Sequence, residues 1–408
     1  MKFTKEQLKK RRLMMLSSAF AIFFTGYPHV WSVYQPYMMK MTGWTQSEAY
    51  MCFYLSFCTF VMGTILGGRL QAKIGAKRVV AIGGGIFSAG IILSAFLIGS
   101  SPIPLYITYG LMQGFGQGMI YTTIIATAQK WFPGRTGFAS GIIVTANGLC
   151  GFFLAPISRY LLKKGGPELA FLVIGGVIVV SWILSSIFFC VPVNDGVQET
   201  MQTVSGAEGG AGNKNYTSGE MIRTKRFYLL VAIMTFGLLS YFLISPVSQT
   251  YQVELGIPVS IAVGSVMVGS LVNASARLIT PSIADKLGRI VCVRWILIVL
   301  IAAMIMLTVL QNSMVTPIIV LVYGCYGGIM GNFPSLTSSI FGIENAGENY
   351  GYVMLAMVAA TFGAPAITGF MNEIGFGMQQ VFAIGAAFAG VALLCLMLLK
   401  REVKKYQV

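Results

Sequence analysis

IAVGSVMVGSLVNASARLITPSIADKLGR, residues 261–289, is an apolar run with one cation in its middle, Arg277, and further charge only at its end. Arg277 and Asp285 are eight residues apart. Eight helical residues rise about 12 Å, and half a hydrocarbon core is about 15 Å. A helix here therefore carries the guanidinium close to a bilayer midplane. A charge at that depth costs on the order of 3 kcal/mol or more and by default marks a substrate or ion path.

The rest of the chain supports a bilayer setting. Its 408 residues are 56% hydrophobic and only 10% charged, with a mean hydropathy of +0.76. Soluble domains carry about 25% charged residues. Apolar runs of membrane-crossing length recur throughout and predict twelve helical spans: 13–38, 48–69, 79–100, 103–129, 138–161, 169–192, 227–251, 260–283, 291–311, 315–340, 349–371 and 379–399. The runs are continuous rather than alternating, which excludes a β-barrel. The first lacks an A-x-A cleavage site and reads as a retained helix, not a signal peptide.

The net charge of +15 is distributed asymmetrically. With the N-terminus taken as cytoplasmic, 23 of the 28 Lys and Arg fall on the cytoplasmic side and four on the other, at Lys40, Arg159, Lys163 and Lys164. That is the positive-inside pattern and places both termini in the cytoplasm. The basic balance thus orients the protein and is no sign of nucleic-acid binding. Seven cysteines scattered through apolar spans suggest packing, with neither a metal site nor a disulfide framework.

Residues 193–226 are polar, rich in Gly and Ser, and read as a cytoplasmic linker between six-helix halves at 1–192 and 227–408. The halves echo each other. AKIGAKR at 72–78 answers ADKLGRI at 284–290, and FASGIIVTANGLCGFFLAP at 138–156 answers NYGYVMLAMVAATFGAP at 349–365. Such repeats, with a substrate site near the midplane, are a transporter architecture.

PSIADKLGR at 281–289 resembles the loop signature G-x-x-x-D-[RK]-x-G-[RK] of the major facilitator superfamily. Pro281 departs from it, whereas Asp285, Lys286, Gly288 and Arg289 match; in GRLQAKIG at 68–75, Ala72 replaces the aspartate. HVWSVYQPY at 29–37, GFGQGMIYTTIIATAQKWFP at 114–133, NASARLITPSIADKLGR at 273–289 and ENYG at 348–351 resemble the oxalate/formate antiporter branch. The resemblance implies the major facilitator fold, an all-α polytopic membrane protein of twelve transmembrane helices in two pseudo-symmetric halves. It further implies that Arg277 binds a substrate carboxylate, that Tyr121 is a binding tyrosine, and that Tyr34 and Tyr326 occupy aromatic positions of the site. His29 stands where the family has a substrate-facing tyrosine, Asn147 where it has an aromatic residue, and Met357 where its type member has a second cation.

The residues themselves point the same way. All thirteen acids lie in loops or at span ends, so a carboxylate ligand is the natural counter-ion for Arg277. Its planar fork suits bidentate carboxylate binding. One cation instead of two favours a monocarboxylate of the formate, lactate or pyruvate type over a dicarboxylate. His29, the only histidine, is either a neutral core residue or a site residue, and is the ordinary candidate for coupling to a proton. Tyr34, Tyr121 and Tyr326 can line the site or make structural bonds. Asn147 and Asn273, the latter one turn from Arg277, can bond ligand or a facing helix. Gly110, Gly114, Gly116 and Gly118 serve helix approach and are no phosphate loop.

Asp285, Lys286, Gly288 and Arg289 read as a cytoplasmic gate cluster, with Glu344 or Glu348 as acceptors for Arg289 and a weakened equivalent at Ala72. The expectation is a secondary transporter of a small organic anion working by alternating access, as antiporter or proton symporter. The alternatives are efflux of hydrophobic anions or drugs on the same fold, and a non-transporting carboxylate sensor. Neither enzymatic activity nor a cofactor is expected. The expected partners are a small carboxylate, a proton and the lipid bilayer, for a monomer in a prokaryotic plasma membrane.

Overall fold

The computed structural model describes residues 5–132, 134–192, 215–245 and 247–405. The linker expected at 193–226 lies outside the described residues as far as 214. Every regular element among the described residues is helical.

The first span is broken where its proline falls. Helix α1 (Lys5–Phe24) passes through a 3₁₀ turn at Tyr27–Val30 into α2 (Trp31–Thr42). Pro28 has no N–H to continue the ladder, so the chain tightens for one turn and restarts. Helix α3 (Gln46–Ile74) opens on a capping box: the Thr45 hydroxyl accepts from the Glu48 N–H, and the Glu48 side chain accepts from the Thr45 N–H. It ends at Gly75, which has φ +86°, and α4 (Ala76–Phe96) follows.

The fourth span is not one regular helix. A short α5 (Ile103–Leu105) leads into a π-helical segment, Tyr106–Gln113, before α6 (Gly114–Trp131). The Thr59 hydroxyl on α3 donates to the Gly110 carbonyl at 2.8 Å, giving a carbonyl within the widened turns a partner outside the ladder.

Spans five and six form a single stretch, α7 (Thr136–Phe188). It departs from helical geometry only at Gly165 and at Gly166, whose φ is +72°. Glycine reaches that region without a Cβ clash, so the chain reverses here without a separate loop.

The later elements are α8 (Ser218–Met221), α9 (Lys225–Ile244), α10 (Ser248–Glu254), α11 (Val259–Leu287), α12 (Arg289–Val309), α13 (Val315–Phe341), α14 (Ala346–Val353), α15 (Leu355–Glu373) and α16 (Met378–Lys405). Ten helices among the described residues are long and apolar enough to cross a bilayer. One of them, α7, divides at Gly165–Gly166 into two passes, and the interrupted stretch 103–131 supplies a further one. The helices are thereby consistent with the twelve spans expected from hydropathy.

Two compact units emerge. One comprises Met1–Pro133, Ala146–Met201 and Ile343–Tyr352; the other comprises Gly134–Thr145, Gln202–Gly342 and Val353–Val408. The divisions fall inside spans five and eleven rather than only at the linker. In the first unit the core is aromatic: Trp31, Tyr34, Tyr109 and Phe171 are mutually packed and wholly buried.

The second unit is organised around the close approach of α11 and α13. A Cβ on Gly331 would lie 2.6 Å from the Arg277 carbonyl oxygen and 2.9 Å from its Cα, and one on Gly327 would meet the Asn273 carbonyl. Two glycines one turn apart thus seat the backbone of α11 at the very residues of interest. Gly331→Ala should cost roughly 1–3 kcal/mol through overpacking against backbone. Gly264→Ala, on α11 with open space around it, should cost nothing measurable; thermal unfolding of the two variants in detergent checks the difference.

Candidate functional site

In the second unit Arg277 is 3% exposed. Its Nε donates to the Asn273 Oδ1 one turn earlier on α11, at 2.9 Å. Its Nη1 donates to the Val144 carbonyl at 3.3 Å, at a point where Gly141 lets the start of α7 approach α11. The guanidinium carbon lies 5.6 Å from the centre of the Tyr326 ring, which is stacked at 3.9 Å on Tyr241. An amide oxygen, a peptide dipole and a π face stabilise the cation and orient it.

The second unit thus assembles Arg277, Asn273 and Tyr326. Met357 is buried in the same unit, beside an interruption in span eleven where its N–H bonds to the Met354 carbonyl at 2.9 Å. Sequence reading missed Tyr241, the Val144 carbonyl and the glycine pair. The spacing of Gly327 and Gly331 was the available signal for the last of these.

The expected residues of the first unit are His29, Tyr121, Tyr34 and Asn147. His29 is exposed on the 3₁₀ turn, with its ring edge-on to Phe57 at 5.4 Å. Tyr121 is buried on α6, edge-on to Phe60 at 5.3 Å. Tyr34 is wholly buried: its hydroxyl accepts from the Tyr27 hydroxyl at 2.6 Å and donates to Ser158 at 3.4 Å, while Phe171 stacks on its ring at 4.9 Å. Asn147 donates to the Thr25 hydroxyl at 3.0 Å. That bond joins a buried polar chain in which Ser56 donates to Gln113, Gln113 to Gln117 and Gln117 to the Thr25 carbonyl. The two glutamines were not singled out from the sequence, because an amide in an apolar run carries no charge signal.

The charged cluster at the end of α11 is built around Asp285. Its two oxygens accept from the backbone N–H groups of Gly137 at 3.0 Å and Phe138 at 2.8 Å, in the first turn of α7. A carboxylate at a helix N-terminus satisfies orphan donors and meets the positive end of the dipole. Arg289 bridges Asp285 at 3.2 Å and the Thr136 hydroxyl at 2.8 Å, the ion pair's side chains being 10% and 7% exposed. Lys286 faces out, and Gly288, with φ +94° and ψ 135°, ends the helix. Gly75, at the end of α3, has almost the same backbone, φ +86° and ψ 145°.

In the first unit Glu348, read from the sequence as a candidate acceptor for Arg289, pairs with Arg69 at 2.8 Å. Tyr352 also accepts from Arg69, and Gly68 packs against the Glu348 backbone. The end of α3 therefore has a charged contact despite Ala72.

The Major Facilitator Superfamily model matches residues 14–362. The chain belongs to that superfamily. It is accordingly a multi-pass membrane transporter and not an enzyme. It is 26% identical over 382 residues to the oxalate:formate antiporter of Oxalobacter formigenes, covering 93% of this chain and 88% of that one. It is 26% identical over 350 residues to the uncharacterized transporter YhjX of Escherichia coli strain K12, covering 85% of each. Human monocarboxylate transporter 11 matches over 112 residues at 34% identity, 28% of this chain and 23% of that one. Among solved structures, FucP in the outward conformation superposes with a TM-score of 0.73 at 12% identity, covering 95% of this chain and 98% of the other. A bacterial ferroportin homologue superposes with a TM-score of 0.72 at 14% identity, covering 96% and 99%. These last likenesses concern the fold.

The two charged contacts differ in depth, so their removal should differ in effect. Asp285→Ala strips two helix N–H groups and a buried guanidinium of their acceptor and should cost roughly 2–4 kcal/mol. Glu348→Ala releases an arginine whose side chain is 51% exposed and should cost under about 1 kcal/mol. Unfolding midpoints of the two variants, measured side by side, test this ordering.

Proposed function

We propose that the protein carries a small organic anion, most favourably a monocarboxylate of the formate, lactate or pyruvate type, by alternating access as an exchanger or a proton-linked symporter. The observation that carries this reading is the buried Arg277 guanidinium, oriented by Asn273, the Val144 carbonyl and Tyr326. A cation held deep in an apolar helix by default marks a substrate or ion path, and its planar fork suits a carboxylate. The likeness to the oxalate:formate antiporter over nearly the whole chain supports a carboxylate cargo, as does the partial match to the monocarboxylate transporter.

The charge count narrows the cargo. A buried thioether at Met357 stands where the resembling family's type member has a second cation. A dianion would then bring two charges to one guanidinium, with one left uncompensated at low dielectric. Asp285, Lys286 and Arg289 serve as a latch on the cytoplasmic side, in a prokaryotic plasma membrane with both termini inside, as the Lys and Arg distribution indicates.

Counterflow in proteoliposomes with labelled formate, lactate, pyruvate and oxalate tests the proposal. A monocarboxylate should exchange faster than oxalate, and Arg277→Gln should lower its uptake roughly 100-fold, the worth of a desolvated charge pair. Oxalate exchange equal to that of every monocarboxylate would sink the one-cation reading; full activity in Arg277→Gln would remove the site. His29 is the candidate for proton linkage, being exposed at a helix break. If it couples transport to a proton, His29→Gln should flatten the dependence of uptake between about pH 5.5 and 7.5; an unchanged profile assigns it no such part.

A further inference from the structure

The end of the first unit at which α1 begins is strongly basic, with little acid to offset it. Residues 5–12, KEQLKKRR, carry five cations and one acid, and residues 72–82, AKIGAKRVVAI, carry three cations and no acid. The acid, Glu6, is paired with Lys10 at 2.8 Å. These segments are packed onto the unit. The Arg11 guanidinium carbon lies 4.6 Å from the centre of the Phe132 ring. The neighbouring Trp131 donates its indole N–H to the Cys190 carbonyl at 2.9 Å, and the charges of Lys10 and Lys77 both act on the Cys190 thiol. The starts of α1 and α4 therefore meet the end of α6 and the chain just past α7.

On α1 the exposed residues Lys5, Lys9, Arg12, Leu16 and Phe20 follow one another at spacings of three and four, so they share a face. Leu16 is 71% exposed. On α4, exposed Arg78 is followed four residues later by exposed Ile82. Each face changes within about one turn, roughly 6 Å of rise, from cation to bare apolar surface. A phospholipid has the same order of chemistry, a charged headgroup and then an acyl chain. A soluble polyanion would match only the cations.

We propose that this end of the first unit binds an anionic phospholipid. Lys5, Lys9 and Arg12 take the headgroup phosphate, Lys77 and Arg78 add to the positive field, and an acyl chain lies along Leu16 and Phe20. Basic residues just outside a membrane helix attract anionic headgroups, each worth about a fivefold change in affinity. The site belongs to the first unit and does not rest on the reading of Arg277.

The test titrates the purified full chain, in neutral detergent, with phosphatidylglycerol or phosphatidylcholine and reads the unfolding midpoint. Phosphatidylglycerol should raise the midpoint saturably, since a ligand of the folded state stabilises it, and phosphatidylcholine should not. The combined variant Lys5→Gln, Lys9→Gln, Arg12→Gln should need on the order of 100-fold more phosphatidylglycerol for the same shift. The matching Lys5→Arg, Lys9→Arg variant should titrate like wild type, as should Lys163→Gln, Lys164→Gln, which removes exposed cations beside the Gly165–Gly166 turn. In wild type alone the shift should shrink in about 1 M salt, where the screening length falls to about 3 Å; this reading stands even if the glutamine variant does not fold. Equal midpoints in the two lipids overturn the proposal. So does a wild-type titration in the glutamine variant, or an equal loss in Lys163→Gln, Lys164→Gln, which would show only a response to overall charge.

Discussion

The second unit depends on how near two helices come to each other. Where α11 passes α13, glycines at 327 and 331 bring backbone against backbone at Asn273 and Arg277. That closeness brings the Tyr326 ring to the guanidinium, which also donates to Asn273 of its own helix and to the Val144 carbonyl of α7. At a wider separation the same arginine would be free to turn outward and solvate itself at the interface, as long cationic side chains do in membranes. Packing of small residues and placement of a charge are therefore one problem with one solution. The cation's orientation inherits its precision from the fit of the helices.

The charged contacts at the ends of α3 and α11 solve a related problem in two ways. The sequence echo puts Ala72 opposite Asp285 and Gly75 opposite Gly288, and the two glycines adopt the same unusual backbone. In the second unit the acid belongs to α11 and accepts from the first turn of α7. In the first unit the acid, Glu348, belongs to the first turn of α14, and the cation, Arg69, comes from α3. The acid has changed helix, while a charged contact between the helix pair persists. Backbone form was retained between the halves more closely than side-chain chemistry, as expected if the glycine turn is a steric requirement and the ion pair only an electrostatic one.

Much of this was readable in the sequence, for identifiable reasons. Spans are written in hydropathy over many residues, Arg277 in its isolation, and the break at Tyr27–Val30 in a proline. The Asn273–Arg277 relation lay in their four-residue spacing. What was not readable depended on contacts between segments far apart in the chain. No local pattern announces that Glu348 pairs with Arg69, or that Tyr34 is enclosed by Phe171 and Trp31 rather than standing at a surface. Gly165 and Gly166 were visible as glycines, but not as the whole of a connection. Gln113 and Gln117 were silent because a neutral amide carries no charge to stand out in an apolar span.

The π-helical segment at Tyr106–Gln113 has a consequence for anyone comparing this span with another. A π turn holds more residues than an α turn, so everything after it, Gln117 and Tyr121 included, is rotated relative to an unbroken helix begun at Ile103. A face assigned by counting 3.6-residue steps from the start of the span will be the wrong face by its end. Two homologous chains that differ only in having this segment would align without a gap and still point non-equivalent side chains in the same direction. In span four, position in an alignment and position in space are separate coordinates.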